Sequence, residues 1–344
     1  MGKYGILGAH MLQSKSRYYY TRLDKTGQYI YNRILSAWES RSRDASFPSN
    51  PLSTRVYLQK IVEYISYDNP GLFYIDFSRT LITSTAFKTI AHVNFHFGDR
   101  QISDAENQLQ KVVSTLLSKY PFDKMDKYDK EIVLHDYLAE TVSYADEGIN
   151  DGSISIIGGL LTHRAVCEGY AKSFKLLCDA VGLSSIMVTG RGKPKDGPEE
   201  NHAWNIVKLD GVCAHVDVTW DSTTRIGREA SHDHFNLTDD DIGHDHFWDR
   251  STFPPCVSDQ NNYFVKSGGI VADNSDLKKY ASDQFAMGKR ALYVKFSRKI
   301  VDQVQISQMV NAILVGDRRL SGLKYSSISV SCNPVRGTAS IFLM

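Results

Sequence analysis

A cysteine, a histidine and a carboxylate follow one another in this chain in an order that supports nucleophilic chemistry. Cys167 sits in Ala165-Val166-Cys167-Glu168-Gly169-Tyr170-Ala171, His202 in His202-Ala203-Trp204-Asn205, and Asp217 in Asp217-Val218-Thr219-Trp220-Asp221. A thiolate can attack an acyl carbon, an imidazole can move the proton, and a carboxylate can hold that imidazole in one tautomer. The chemistry these types imply together is acyl transfer through a thioester.

Two local patterns would bring them together. Tyr170, Phe174, Leu177 and Val181 follow Cys167 at helical spacing, and Gly182 stands where a helix ends. Cys167 is thus predicted in the first turn, beside unpaired N–H groups and the positive end of the helix dipole, which favour thiolate. Its own N–H would help hold an oxyanion. His202 and Asp217 are predicted on two strands joined by Asp210-Gly211, a strong hairpin turn signal. That turn pairs Leu209 with Val212, Trp204 with Asp217 and His202 with Thr219. His202, Trp204, Cys213, His215, Asp217 and Thr219 then share one face, with His202 and Asp217 as diagonal neighbours.

Three blocks surround these segments. The first, residues 1–100, reads as two helices over 26–40 and 53–65, the turn Asp68-Asn69-Pro70-Gly71, and a strand pair carrying Phe73, Ile75, Phe77 and Val93, Phe95, Phe97. The second, 101–255, opens on a capping-box pattern, Ser103-Asp104-Ala105-Glu106, followed by a helix over 127–142, a glycine-containing stretch over 148–159 and the cysteine motif. The third, 256–344, is a small α/β unit with helices near 277–285 and 306–314 and strands near 292–296, 328–332 and 341–343. The run 191–201 reads as a loop that either borders the cleft or merely connects.

The bulk properties are those of an ordinary globular chain. Its 344 residues are 42% hydrophobic and 23% charged, with a net charge of +1, which supports neither a nucleic-acid nor a polyanion surface. No apolar run approaches a membrane span. Five cysteines without a short-spaced pair speak against a disulfide framework or a four-cysteine zinc site, and favour a reducing, cytoplasmic setting. Gly8-Ala9-His10-Met11 reads as an expression-vector scar, so the N-terminus bears little on targeting.

The motifs resemble those of the bacterial transglutaminase-like family, part of the papain-like cysteine enzymes. The likeness covers roughly 124–222 and includes His135-Asp136-Tyr137-Leu138, Val142-Ser143-Tyr144 and the three segments quoted above. Asp68-Asn69-Pro70-Gly71-Leu72-Phe73 is similar to a segment upstream of the core in some members. The resemblance implies an α+β fold: a papain/transglutaminase-like core, with the cysteine-bearing helix packed on an antiparallel sheet, flanked by N-terminal helix and strand and C-terminal α/β regions. It implies Cys167 as nucleophile, His202 as general base and acid, and Asp217 as the orienting group. Members draw a second oxyanion donor from an upstream side chain, for which Tyr144 is the candidate. No cofactor is implied; neither the calcium sites nor the zinc-binding cysteine pairs of some relatives occur. Family members crosslink glutamine to amines, deamidate it, cleave peptide bonds, or have lost activity.

Each residue also has a plainer reading. Cys178, Cys213, Cys256 and Cys332 suit small buried hydrophobes. His215 shares the predicted face and rivals His202 as base. Trp204 and Trp220 read as packing around the site. His232, His234, His244 and His246, with Asp239, Asp240 and Asp241 between, could bind a transition metal, but a solvated loop ranks above it, and Phe235-Asn236-Leu237-Thr238 reads as a helix start. The sequence therefore points to thiol-dependent amide hydrolysis or acyl transfer on a protein or peptide, with hydrolysis slightly preferred. The alternative is a catalytically silent interaction module; a metal-dependent hydrolase built on the histidine pairs is a distant third.

Overall fold

Asp24 and Thr54 each turn a side-chain oxygen onto the first free N–H groups of a helix, and so start the two long helices of the N-terminal region. These are α2 (Lys25–Glu39) and α3 (Arg55–Asp68), preceded by the single turn α1 (Tyr18–Thr21). Between and after them run β1 (Asp44–Pro48), β2 (Ile75–Ser84) and β3 (Lys88–Phe95), an antiparallel sheet in the order β1-β3-β2. This computed structural model describes residues 12–50, 54–146, 150, 152–194, 197–224, 230–297 and 302–344. The scar-like segment 8–11, the first residue of the 53–65 helix and part of the 148–159 stretch lie outside them.

The middle of the chain holds α4 (Asp99–Lys119), α5 (Lys127–Thr141), α6 (Cys167–Val181), α7 (Val218–Thr223) and α8 (Asp239–Ile242). The helix expected to be capped at Ser103 starts earlier. Gly98 is its N-cap, and Gln101 Oε1 accepts the Gly98 N–H at 3.0 Å, so the box sits five residues upstream of the Ser103 pattern. Two short strands, β4 (Ser143–Tyr144) and β5 (Arg164–Ala165), pair in parallel just ahead of α6. The main sheet is antiparallel, in the order β10-β6-β7-β8-β9, from β6 (Ser184–Gly192), β7 (Glu200–Leu209), β8 (Val212–Val216), β9 (Phe235–Leu237) and β10 (His246–Phe247).

Asp210 and Gly211 both have positive φ, 49° and 93°, as a two-residue hairpin turn demands, and Leu209 pairs with Val212. The loop expected over 191–201 is shorter, because Arg191 pairs with Asn201 and Gly192 with Glu200. α6 lies against β6 and β7, and its residues from Gly169 to Val181 are all buried. The expected α+β arrangement, a cysteine-bearing helix on an antiparallel sheet, is the one present.

One hydrophobic core runs without a break from Tyr19 to Cys256, joining the N-terminal helices to α4, α5, α6 and the main sheet. After α9 (Tyr263–Lys266) a second core forms among β11 (Ile270–Val271), α10 (Asn274–Ala286), β12 (Ala291–Phe296), α11 (Gln303–Gly316), β13 (Ile328–Asn333) and β14 (Thr338–Leu343). Its sheet order is β11-β12-β14-β13. Among the described residues no helix is long and apolar enough to cross a membrane.

Candidate active site

Cys167 is the first residue of α6, where the chain turns from extended Val166 into helix. Val166 has no side chain that could cap the first turn. The entry is pinned from outside the helix: Val166 N–H donates to Ser153 O at 3.0 Å. Cys167 is half-buried.

His202 comes from β7, beside the edge of the sheet where β6 and β7 end. It is 6% exposed, with Trp204 stacked at 5.9 Å between ring centroids and Trp220 tilted at 5.4 Å. Its Nε2 donates to Asp217 Oδ2 at 2.8 Å, and the Cys167 thiol is its other hydrogen-bonding partner. Burial pulls the imidazole pKa down, yet the Asp217 carboxylate and then Cys167 outweigh it and raise it to about 10. The His202 ring so placed favours its protonated form.

Asp217 is reached differently from the expectation. The predicted strand through Thr219 stops at Val216; pairing runs from Leu209↔Val212 to Asn205↔Val216 and ends there. Asp217 is instead the N-cap of α7, and its Oδ1 accepts the N–H groups of Thr219 at 2.9 Å and Trp220 at 3.2 Å. One oxygen thus fixes the carboxylate to the helix while the other serves His202. Asp217 is fully buried, a cost that its hydrogen bonds and cationic partners more than offset, and its pKa lies well below the ordinary carboxylate range.

The other residues singled out by sequence divide cleanly. Tyr144 stands on β4 with its strand pairing to Ala165, two residues before Cys167, and burial followed by the nearby Cys167 pushes its pKa up to about 12. Trp204 and Trp220 flank His202. His215 is occupied elsewhere: Nδ1 accepts from Trp204 Nε1 at 3.0 Å, and Nε2 donates to Asp239 at 2.9 Å. Burial, its largest influence, holds its pKa down.

The expected solvated loop of paired histidines is overturned. His232, His234 and His246 are 5%, 2% and 1% exposed; only His244 lies at the surface. The expected helix start at Phe235 is the strand β9, too short for a periodic signal, and the helix begins after Thr238 instead. The three buried histidines join a layer of alternating imidazoles and carboxylates beneath the site. His246 Nε2 donates to Asp217 Oδ2 at 3.1 Å, and its Nδ1 lies 2.6 Å from Asp245 Oδ1. Asp221 holds His135 at 3.1 Å and His234 at 3.3 Å, and Asp136 holds His135 at 2.9 Å and His232 at 2.8 Å. Sequence reasoning missed His246, Asp245, Asp221 and Asp136 as neighbours of the site. The only available signal was the density of His and Asp in motifs far apart along the chain.

Among the described residues, three clusters bring possible metal ligands within 4.8 Å of one another: His135, Asp136 and His232; His202, Asp217 and His246; His215, Asp239 and Cys256. In each, a carboxylate–imidazole hydrogen bond already joins two of the three residues.

Residues 117–218 match the profile of the transglutaminase-like superfamily. Kyphoscoliosis peptidase from Mus musculus and from Homo sapiens are each 36% identical over 70 residues, 18% of this chain and 11% of theirs. The chain therefore spans only a small part of those relatives. Among solved structures, a proposed cysteine protease from Cytophaga hutchinsonii superposes with a TM-score of 0.28 at 17% identity, over 39% of this chain and 52% of that one. A TGase gives 0.31 at 14%, over 43% and 45%. At these TM-scores the structural likeness is weak.

Proposed function

From the match of residues 117–218 to the transglutaminase-like superfamily, we propose that the protein cleaves or transfers an amide-linked acyl group of a protein or peptide, using Cys167, His202 and Asp217. The observation that carries this reading is the placement of one imidazole between a helix-terminal thiol and a buried carboxylate. Sγ of Cys167 attacks the amide carbon, forming the C–S bond, and the carbonyl oxygen takes the electron pair. The Cys167 N–H and the Tyr144 hydroxyl stabilise that oxyanion. As the C–N bond breaks, protonated His202 gives its proton to the departing amine, leaving a thioester. Water or a second amine then adds to the thioester, His202 takes the proton of the incoming group, and the C–S bond breaks to restore the thiolate.

Hydrolysis is the preferred outcome. Water reaches any open thioester, and the named relatives, although matched over a short span, are called peptidases. The test is mass spectrometry after brief treatment with limiting iodoacetamide across pH 5 to 9, on wild type and on His202→Ala. Selective modification of Cys167 at low pH, lost in the variant, is the expected result. Slow modification spread over several cysteines would overturn the reading and leave an interaction module in its place. Cys167→Ala is expected to abolish turnover of any substrate found by screening glutamine and peptide libraries.

A further inference from the structure

The carboxylate that orients His202 has a second imidazole on the same oxygen. Asp217 Oδ2 accepts from His202 at 2.8 Å and from His246 at 3.1 Å. His246 is placed by pairing with Gly192 at the sheet edge, and is enclosed by Trp220 and Trp204, whose ring centroids lie 4.4 and 4.9 Å away. It therefore has little freedom to turn away. Its other nitrogen faces Asp245 Oδ1 at 2.6 Å. An imidazole that serves two carboxylates at once must donate from both nitrogens. It does so here only while Asp245 is ionised and stays in place.

Asp245 is kept so by His234, whose Nε2 lies 3.8 Å from Oδ2, by His246 itself and, from the C-terminal unit, by Arg336. Arg336 sits in the turn between β13 and β14, and Asn333 Oδ1 shapes that turn by accepting the N–H groups of Val335 at 3.1 Å and Arg336 at 3.2 Å. The guanidinium is buried, its Nη2 2.5 Å from Asp245 Oδ1, while Nη1 donates to Asp241 O. Neighbouring contacts hold the same face: Asn333 Nδ2 donates to Asp233 at 2.9 Å, and Lys295 meets Asp241 at 3.3 Å. The C-terminal unit is thus latched onto the segment that carries His234, Asp245 and His246. Without the guanidinium, buried Asp245 keeps only the imidazoles of His246 and His234, and protonates or shifts more readily. Either change frees His246 Nδ1 and loosens the second donor on Asp217.

We propose that Arg336 is a positioning residue for the triad, and that the C-terminal unit sets the reactivity of Cys167 by docking this guanidinium on Asp245. The path runs Arg336, Asp245, His246, Asp217, His202, and each link is a contact given above. This inference rests on the reading of Cys167, His202 and Asp217 proposed for the active site. It adds to that reading a dependence on a residue more than a hundred positions downstream of the last triad member.

The experiment measures the rate of Cys167 alkylation by iodoacetamide from pH 5 to 9 on the full chain. Wild type, Arg336→Met, Arg336→Lys and Asp245→Asn are compared, with thermal melts alongside. Arg336→Met is expected to slow alkylation at pH 6 about tenfold, the effect of a one-unit displacement of the pH profile. Arg336→Lys should recover most of the wild-type rate, a rescue that a generic packing defect would not give. Asp245→Asn should displace the profile in the same direction, and it decides the matter alone if Arg336→Met does not fold. Folded Arg336→Met and Asp245→Asn with wild-type profiles would overturn the proposal while leaving the active-site reading intact. A wild type whose Cys167 is unreactive at low pH would defeat both.

Discussion

A Cβ placed on Gly169 would stand 2.2 Å from the carbonyl oxygen of Ser153, closer than any side chain can approach. That same oxygen accepts the Val166 N–H, so the contact that excludes a side chain at Gly169 also anchors the residue ahead of Cys167. Gly169→Ala must push the Ser153 segment off the start of α6. The expected cost is about 1–3 kcal/mol in urea unfolding, together with slower alkylation of Cys167. A variant with unchanged stability and reactivity would mean that the Ser153 segment yields freely.

Asp217→Asn should separate orientation from charge. Burial depresses the His202 pKa, and the Asp217 carboxylate is the main influence that reverses this to reach about 10. With the charge gone, the main influence opposing burial is lost and the His202 pKa is expected to fall. Alkylation of Cys167 at pH 6 is expected to fall at least about tenfold. Titration of the His202 ring by NMR in the Cys167→Ala background checks the direction: its proton should be lost at lower pH in the double variant.

Tyr144→Phe tests the oxyanion assignment. Removing the hydroxyl leaves the thiol and imidazole in place, so alkylation of Cys167 should stay within about twofold. Turnover of an identified amide substrate should drop about 10²-fold, the usual scale for one oxyanion donor. Equal turnover in both proteins would return Tyr144 to a packing role.

Glu131 predicts a pH-dependent stability away from the nucleophile. It is fully buried on α5, its Oε2 accepts from Asn236 at 2.8 Å, and burial raises its pKa from 4.5 to about 8. A carboxyl whose folded pKa lies above its unfolded one favours the fold at low pH. That contribution is lost as pH climbs from about 4.5 to about 8. Glu131→Gln keeps an acceptor for Asn236 and has no proton to lose. It is expected to match wild type near pH 4.5 and to exceed it by about 1–3 kcal/mol at pH 8, read from urea midpoints.

Local signals carried the hairpin and the catalytic helix. Asp210-Gly211 can adopt the positive φ values of a tight turn, and that alone fixed which residues of β7 face which of β8. Tyr170, Phe174, Leu177 and Val181 marked α6, and Gly182, with φ of 79°, ended it. The misreadings arose where a side chain competes with the backbone pattern. Asp217 was read as a strand residue from alternation, but its carboxylate caps α7 and stops the strand. Ser103 looked like a cap, although Gly98 and Gln101 had already opened the helix. The histidines at 232, 234 and 246 looked solvated because their neighbours in sequence are polar. Their partners Asp136, Asp221 and Asp217 come from other elements, and only the fold makes that layer dry.

The unbroken core from Tyr19 to Cys256 has a thermodynamic consequence. The Tyr19 hydroxyl donates to Met187 O on β6, and Asp68 accepts the N–H groups of Tyr19 and Tyr20. The matched span 117–218 is thus only the middle of a larger cooperative body. Cut out by itself, it would expose the underside of α6 and β6 and behave as a molten fragment. Heat should melt the N-terminal helices and the cysteine helix together, in one calorimetric peak.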